Sequence, residues 1–133
     1  ILFAIVGGKP SAEVQALADR DGVLVTGRVE DVRPWLAHAA AVVAPLRIAR
    51  GIQNKVLEGM AMARTVVATP QALEGIDALP DQEILRAADK AAMTAAVLRA
   101  LEAPSLGGAA RLRVLRDYNW AANLARVDQL LET

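Results

Sequence analysis

Apolar residues fall along this chain in two alternating patterns, short continuous runs and longer stretches with a helical period. The first run, Leu2 to Val6, is β-rich and closed by Gly7-Gly8, the pattern of a strand covered on both faces. Ser11 offers an N-cap to a short helix over Ala12 to Asp19, and Val23 to Val25 forms a second strand that stops at Thr26-Gly27. Asp31 is the next cap, for a helix over Val32 to Ala39 with Pro34 in its first turn, where a missing N–H costs little. Ala41 to Ala44 is a third strand ended by Pro45. After the loop Leu46 to Gly51 a helix runs from Ile52 to Ala63. Thr65 to Ala68 is a fourth strand, stopped at Thr69-Pro70, and Glu83 to Arg86 is a weaker fifth that leads into an Ala-rich helix over Ala88 to Leu101. The turn Pro104 to Gly108 precedes two more helices, Ala109 to Arg116 and Trp120 to Leu131.

Strands and helices that alternate at such short intervals predict right-handed βαβ crossovers, hence an α/β fold with a Rossmann-like parallel sheet and helices on both faces. At 133 residues this is one domain's length. Composition narrows the core: 54% of residues are apolar but 3% are aromatic, so Ala, Val, Leu and Ile must fill it. Fifteen basic and fifteen acidic residues cancel, which removes the positive field that nucleic-acid binding needs. With no cysteine there is no disulfide framework, thiolate metal site or thiol nucleophile, and the expected compartment is the cytoplasm. The chain opens on Ile1 in mid-strand, and its apolar start is too short for a signal peptide. Residues upstream of it are expected.

In an open parallel sheet, ligands bind beyond the carboxyl ends of the strands, where a loop entering a helix N-terminus cradles phosphate. Residues 41 to 63 have that form. Gly51 permits close backbone approach, and Arg47, Arg50 and Lys55 add positive charge. Glu58 falls farther along the same helix, where a carboxylate accepts hydrogen bonds from a diol such as that of a ribose. Phosphate at the helix start and sugar farther along make a pose for a nucleotide.

The run Arg50-Gly51-Ile52-Gln53-Asn54-Lys55-Val56-Leu57-Glu58-Gly59-Met60-Ala61, followed by Thr65-Val66-Val67-Ala68-Thr69, resembles the donor-site signature of family 4 (group 1) retaining glycosyltransferases of the GT-B architecture. Ile5-Val6-Gly7, Val25-Thr26-Gly27-Arg28-Val29, Ala44-Pro45-Leu46 and Leu73-Glu74-Gly75-Ile76 follow the order of that family's C-terminal domain, so the resemblance covers nearly the whole chain. Within the family, Arg-Gly-Ile-Gln-Asn-Lys before the glutamate is most similar to bacterial exopolysaccharide sugar transferases, including those associated with exosortase systems.

The resemblance implies that residues 1–133 are the nucleotide-sugar-binding part of a two-domain enzyme whose first strand and N-terminal acceptor domain lie upstream. It implies retaining transfer of a hexosyl group from a nucleoside-diphosphate sugar to a saccharide or lipid-linked acceptor in polysaccharide biosynthesis, with no cofactor and no obligatory metal. Closure of the two domains over the reacting sugar goes with it. By position, Glu58 matches the glutamate that binds the ribose hydroxyls. Gly51 matches the diphosphate turn, with Lys55 beside it. Val56 and Leu57 lie where backbone groups meet phosphate or ribose, and Gly27, Arg28 and Val29 match the loop beside the base. Arg50 replaces the family's first glutamate, which contacts the donor hexose, and this charge reversal leaves the hold on that sugar open. Expected partners are the nucleotide sugar, the acceptor domain and, for the full-length protein, peripheral association with the inner face of the membrane.

Blander readings stand beside these. Glu58 is either an ordinary exposed carboxylate or, set among Val56, Leu57, Met60 and Ala61, a charge in apolar surroundings that needs a reason. His38 reads as a partly buried structural histidine, and Trp35 and Trp120 as anchors of their helices. Glu74-Gly75 is a ligand contact or only a turn. The final helix is expected to leave apolar surface exposed if it crosses to the absent domain. Two other functions remain open, a non-hydrolysing UDP-sugar epimerase-like domain and a non-enzymatic flavodoxin-like binding module. The first needs a catalytic histidine and carboxylates, and the second an acidic cluster at the strand ends; neither is evident.

Overall fold

The computed structural model describes residues 1–102 and 106–132 and divides into two compact units, Ile1–Trp35 and Leu36–Thr133. In the first unit β1 (Phe3–Val6) pairs in parallel with β2 (Val23–Gly27), Phe3 opposite Val23 and Ile5 opposite Val25. A register shift after Ile5 brings Val6 opposite Gly27. Between them α1 (Ala12–Ala16) starts at Ser11, whose Oγ accepts the Val14 N–H at 3.3 Å, and tightens into a 3₁₀ turn over Leu17–Asp19. Helix α2 (Arg33–His38) starts one residue later than expected, so Asp31 lies just outside the cap position, from where its carboxylate accepts the Arg33 N–H at 2.9 Å. The expected burial of the first strand on both faces does not occur. Phe3 is 48% exposed and no residue of the unit is buried, because two short strands and one turn of cover cannot enclose an apolar face.

The second unit has a core. Here β3 (Ala41–Ala44), α3 (Asn54–Ala61), β4 (Thr65–Ala68) and β5 (Leu85–Arg86) precede α4 (Lys90–Glu102), α5 (Gly107–Asp117) and α6 (Trp120–Leu131). The strands run parallel in the order β3-β4-β5, with Ala41 opposite Thr65 and Val67 opposite Leu85. All four residues of β4 are buried, as its unbroken Thr-Val-Val-Ala run predicts for a central strand. Successive side chains of a strand point to opposite faces, and β4 feeds two clusters accordingly. Val66 and Ala68 pack with Val56, Met60 and Ala110, while Val67 packs with Leu85, Ala87 and Ala100. A three-layer α/β unit results. The hydrogen-bonded strands of the described residues thus form two parallel sheets, β1-β2 and β3-β4-β5, where the strand pattern alone suggested one.

Two glycines set how closely the layers approach. A Cβ on Gly59 of α3 would lie 2.9 Å from Val66 Cγ2 and 3.2 Å from Val42 Cγ1, so α3 rests directly on β3 and β4. A Cβ on Gly107 would lie 1.9 Å from the Ala63 carbonyl oxygen, so the start of α5 abuts the turn after α3. Helix α5 begins at Gly107, two residues before the expected Ala109. The rest of the expected turn lies partly outside the described residues, which omit 103–105.

Other expectations change for equally local reasons. The fifth strand shrinks to Leu85–Arg86, because the N–H groups of Gln82, Glu83 and Ile84 all donate to the Leu79 carbonyl in a turn. Trp120 is 83% exposed and anchors nothing to the sheet; α6 contains no buried residue, and Trp120, Leu124, Val127 and Leu131 form an exposed apolar stripe along it. Trp35 and His38 are exposed as well, the latter at the end of α2 rather than partly buried. Among the described residues, no helix is long and apolar enough to cross a membrane.

Candidate functional site

The carboxyl ends of β3 and β4 are tied together by Thr69. Its N–H donates to the Ala44 carbonyl at 3.2 Å, its hydroxyl donates to the Leu46 carbonyl at 2.6 Å, and the same oxygen accepts the Ala72 N–H at 3.2 Å. The sequence marked Thr69 only as a strand stop. It roots the loop that leads to α3. At the far end of that loop Gly51 has φ +69°, in the left-handed region that favours glycine, and open space where a Cβ would stand. The Gln53 amide turns back to the carbonyls of Arg50 and Gly51, at 3.5 and 3.4 Å, and so does not cap the helix.

This uncapped start decides which amides are free. The N–H groups of Val56 and Leu57 both donate to the Gln53 carbonyl, at 3.1 and 3.4 Å, and so are engaged within the helix. The physical reason is that Gln53 stands at the N-cap position of α3, where its carbonyl accepts the first intrahelical bonds; a start at Ile52 would have set both amides deeper in the helix still. Asn54 and Lys55 instead carry the N–H groups that lack a partner at the positive end of the helix dipole.

At 100° per residue, Val56, Gly59 and Met60 share the face of α3 that lies on the sheet, and Glu58 points the opposite way. The expectation that Glu58 stands in apolar surroundings is therefore overturned. Its apolar neighbours in sequence turn inward and its carboxylate faces solvent, so burial cost is no argument for a role. Its company on the exposed face is. Asn54 and Lys55 lie on the same side one turn earlier, about 6 and about 4.5 Å along the axis from Glu58. Arg47, Arg50, Lys55 and Glu58 are all exposed, and among the described residues none has a side-chain hydrogen bond or ion pair. The Val56 side chain is fully buried in the core and Leu57 is half-buried against it.

The remaining expected residues belong to the first unit. Gly27, with φ +68°, ends β2, and its carbonyl accepts the Gly7 N–H at 3.2 Å. Arg28 is exposed, Val29 half-buried, and a Cβ on Gly8 would touch Arg28 Cβ at 3.5 Å. The loops after β1 and β2 thus lie side by side at the carboxyl ends of their parallel strands. Among the described residues no three His, Asp or Glu side chains gather as a metal site would require.

A second polar group, which the sequence did not indicate, joins the loop after β4 to α5. Arg113 donates to Glu83 at 2.8 Å and to Asp117 at 3.0 Å, and Arg116 donates twice to Asp117 at 2.9 Å. The Asp77 N–H donates to the Tyr118 hydroxyl at 2.7 Å. Burial alone would raise the Glu83 carboxyl, but the Arg113 hydrogen bond, the Leu79 N–H and the nearby guanidinium charges together outweigh it and hold the group below its usual range. Hydrogen bonds from Arg116 and Arg113 hold Asp117 far below the carboxylate range. Only Arg113 and Asp117, four apart on one helix, carry a readable signal.

Compared with known proteins, residues 1–103 match the family described as "Glycosyl transferases group 1". The chain belongs to that family. No curated protein matches it. Among solved structures, a glycosyltransferase from Rickettsia africae has a TM-score of 0.80 with 15% identity over 98% of this chain, and TarM has 0.80 with 16% identity over 100%. The chain spans 39% and 29% of those two chains' lengths. The fold is that found in GT-B glycosyltransferases, as the motif order implied.

Proposed function

We propose that this chain is the donor-binding domain of a retaining hexosyltransferase, which takes a nucleoside-diphosphate sugar and transfers its sugar to a saccharide or lipid-linked acceptor held by a second domain. The observation that carries the reading is the exposed face of α3, where the free N–H groups of Asn54 and Lys55 and the unpaired Glu58 carboxylate stand one turn apart in a member of this family. An anion at the helix start gains from those amides and the dipole, with Lys55 and Arg50 adding charge beside the left-handed turn at Gly51. Glu58 then accepts from the two ribose hydroxyls. As the bond between sugar and diphosphate breaks, the same donors stabilise the departing diphosphate, which is electrostatic catalysis by groups fixed before the reaction. Roles beside the base for Gly27, Arg28 and Val29, and a place in bacterial exopolysaccharide synthesis at the cytoplasmic face of the membrane, rest on the motif resemblance. Family membership favours this reading over an epimerase-like domain or a flavodoxin-like module.

The test is an amide-resolved NMR titration with UDP, GDP and ADP, on the wild type and on Glu58→Ala. One nucleotide is expected to shift Gly51, Asn54, Lys55 and Glu58. Losing both charge-assisted hydrogen bonds to the ribose should weaken its binding roughly 10- to 100-fold with the rest of the spectrum unchanged. Equal affinity in the variant refutes the role given to Glu58.

A further inference from the structure

The turn that leads to the free amides of Asn54 and Lys55 has little hold of its own on the sheet. Its hydrogen bonds, from the Gln53 amide to the carbonyls of Arg50 and Gly51, span 3.5 and 3.4 Å and stay within the turn. Two outside contacts fix its place. Thr69 holds the start of the loop, where its hydroxyl donates to the Leu46 carbonyl. At the other end the Ile52 side chain, 49% exposed, lies against Gly75, where an added Cβ would come within 3.2 Å of Ile52 Cγ1. Gly75 has φ +78°, in the left-handed region, so the loop after β4 turns there with bare backbone towards Ile52.

Gly75 in turn needs a fixed seat. Of the two residues that follow it, Ile76 is buried and its N–H donates to the Leu73 carbonyl at 2.9 Å, which closes the turn on itself. Asp77 reaches outside the loop, and its N–H donates to the Tyr118 hydroxyl at 2.7 Å. Among the described residues this is the one hydrogen bond that ties residues 75–77 to another element. Tyr118 is a firm anchor for it. With Leu73 and Ala78, the tyrosine packs against the buried cluster of Val56, Met60 and Val66, and its N–H ends α5 by donating to the Val114 carbonyl at 2.9 Å. Ile52, Gly75, Asp77 and Tyr118 line one hollow of about 470 Å³, so on that side nothing else braces the turn.

We propose that Tyr118 is a positioning residue for the anion site at the start of α3, acting through Asp77, Gly75 and Ile52. The assignment rests on the donor-site reading above. Tyr118 itself touches no ligand. Its hydroxyl fixes the Gly75 turn, the turn sets where Ile52 comes to rest, and Ile52 sets the direction of the Asn54 and Lys55 amides just beyond it. Donors held in place before the ligand arrives bind it more tightly than donors the ligand must order. On this assignment Glu74-Gly75 belongs to a brace, neither a ligand contact nor only a turn.

The experiment joins two variants in a double-mutant cycle. Tyr118→Phe keeps the ring and removes only the hydroxyl, and Ile52→Ala cuts the other end of the same line of contacts. Amide-resolved NMR of the free proteins and calorimetric titration with UDP, GDP and ADP read the effects. In the free state Tyr118→Phe should move the signals of Gly75 and Ile52 and, beyond them, those of Asn54 and Lys55. Each variant should weaken the nucleotide that binds about fivefold and the double variant no further, because both cut one support; independent effects would multiply to about 25-fold. A tyrosine that only stabilises the fold would lower the urea midpoint and leave both readouts as in the wild type. Unshifted Asn54 and Lys55 amides or unchanged affinity in Tyr118→Phe, or effects that multiply in the double variant, overturn the assignment while the donor-site reading stands. If none of the three nucleotides binds the wild type, both fall.

Discussion

Gly107 and Gly108 are neighbours at the start of α5, and replacing each by alanine should change stability in opposite directions. A Cβ on Gly107 would stand 1.9 Å from the Ala63 carbonyl oxygen, 2.4 Å from its carbon and 3.1 Å from the Arg64 nitrogen, all main-chain atoms. Ordinary carbon contacts begin near 3.5 Å, so α5 must retreat by more than about 1 Å from the turn after α3. That retreat strains the buried Ala110 contact and the hydrogen bond from Arg111 to the Ala61 carbonyl. Overpacking of this kind costs typically 1–3 kcal/mol and occasionally more, and a main-chain partner cannot rotate away as a side chain can; about 3 kcal/mol is the expected loss. A Cβ on Gly108 meets nothing within 4 Å, so Gly108→Ala should gain most of the roughly 0.5–1 kcal/mol by which alanine exceeds glycine in a helix. Urea denaturation of the three proteins by far-UV circular dichroism reads the difference directly, as midpoint shifts of opposite sign at constant slope. If Gly107→Ala is as stable as the wild type, the close seat of α5 against Ala63 is wrong.

Two threonines four residues apart offer a similar contrast. The Thr65 hydroxyl is buried without a partner among the described residues, so Thr65→Val should raise stability by about 1 kcal/mol in the same urea assay. Thr69→Val strands the Leu46 carbonyl and the Ala72 N–H, and should cost about 1–3 kcal/mol and weaken nucleotide binding by loosening the loop root. Acid should act through α5. Glu83 and Asp117 both titrate below their usual range in the fold, so the stability they contribute is fully present above the ordinary carboxylate range, near pH 4, and is lost as pH falls through their lowered values. Urea midpoints measured from pH 6 to pH 2 should fall less steeply in Asp117→Asn than in the wild type. Equal slopes would mean that the arginine pairs do not persist in solution.

Much of the site was legible because its signals are local. Gly51 at a left-handed turn, Ser11 and Asp31 at helix starts and the buried run of β4 each depend on a few consecutive residues and the period of one element. Motif order added the family and with it the fold. The orientation of Glu58 was within reach of the same arithmetic: its two-residue offset from both Val56 and Met60 turns it away from the face they bury.

What escaped the sequence depends on where a helix begins and on residues far apart in the chain. Val56 and Leu57 have no free amides because the Gln53 carbonyl at the helix start accepts both, a local geometry that no apolar period reveals. Glu83 reaches Arg113 across 30 residues and Asp77 reaches Tyr118 across 41, and no spacing rule foretells either. Trp120 looked like an anchor because an apolar residue on an amphipathic helix ordinarily has a surface to meet, and the apolar stripe of α6 is left exposed among the described residues. The sequence by itself determined the alternation of strands and helices, the loop with its glycine and the helix with its glutamate, since backbone preference and side-chain period act over a few residues. Only the tertiary structure decided which donors stay free, which charges pair and which groups line one hollow, because those outcomes follow from the close packing of elements distant in the chain.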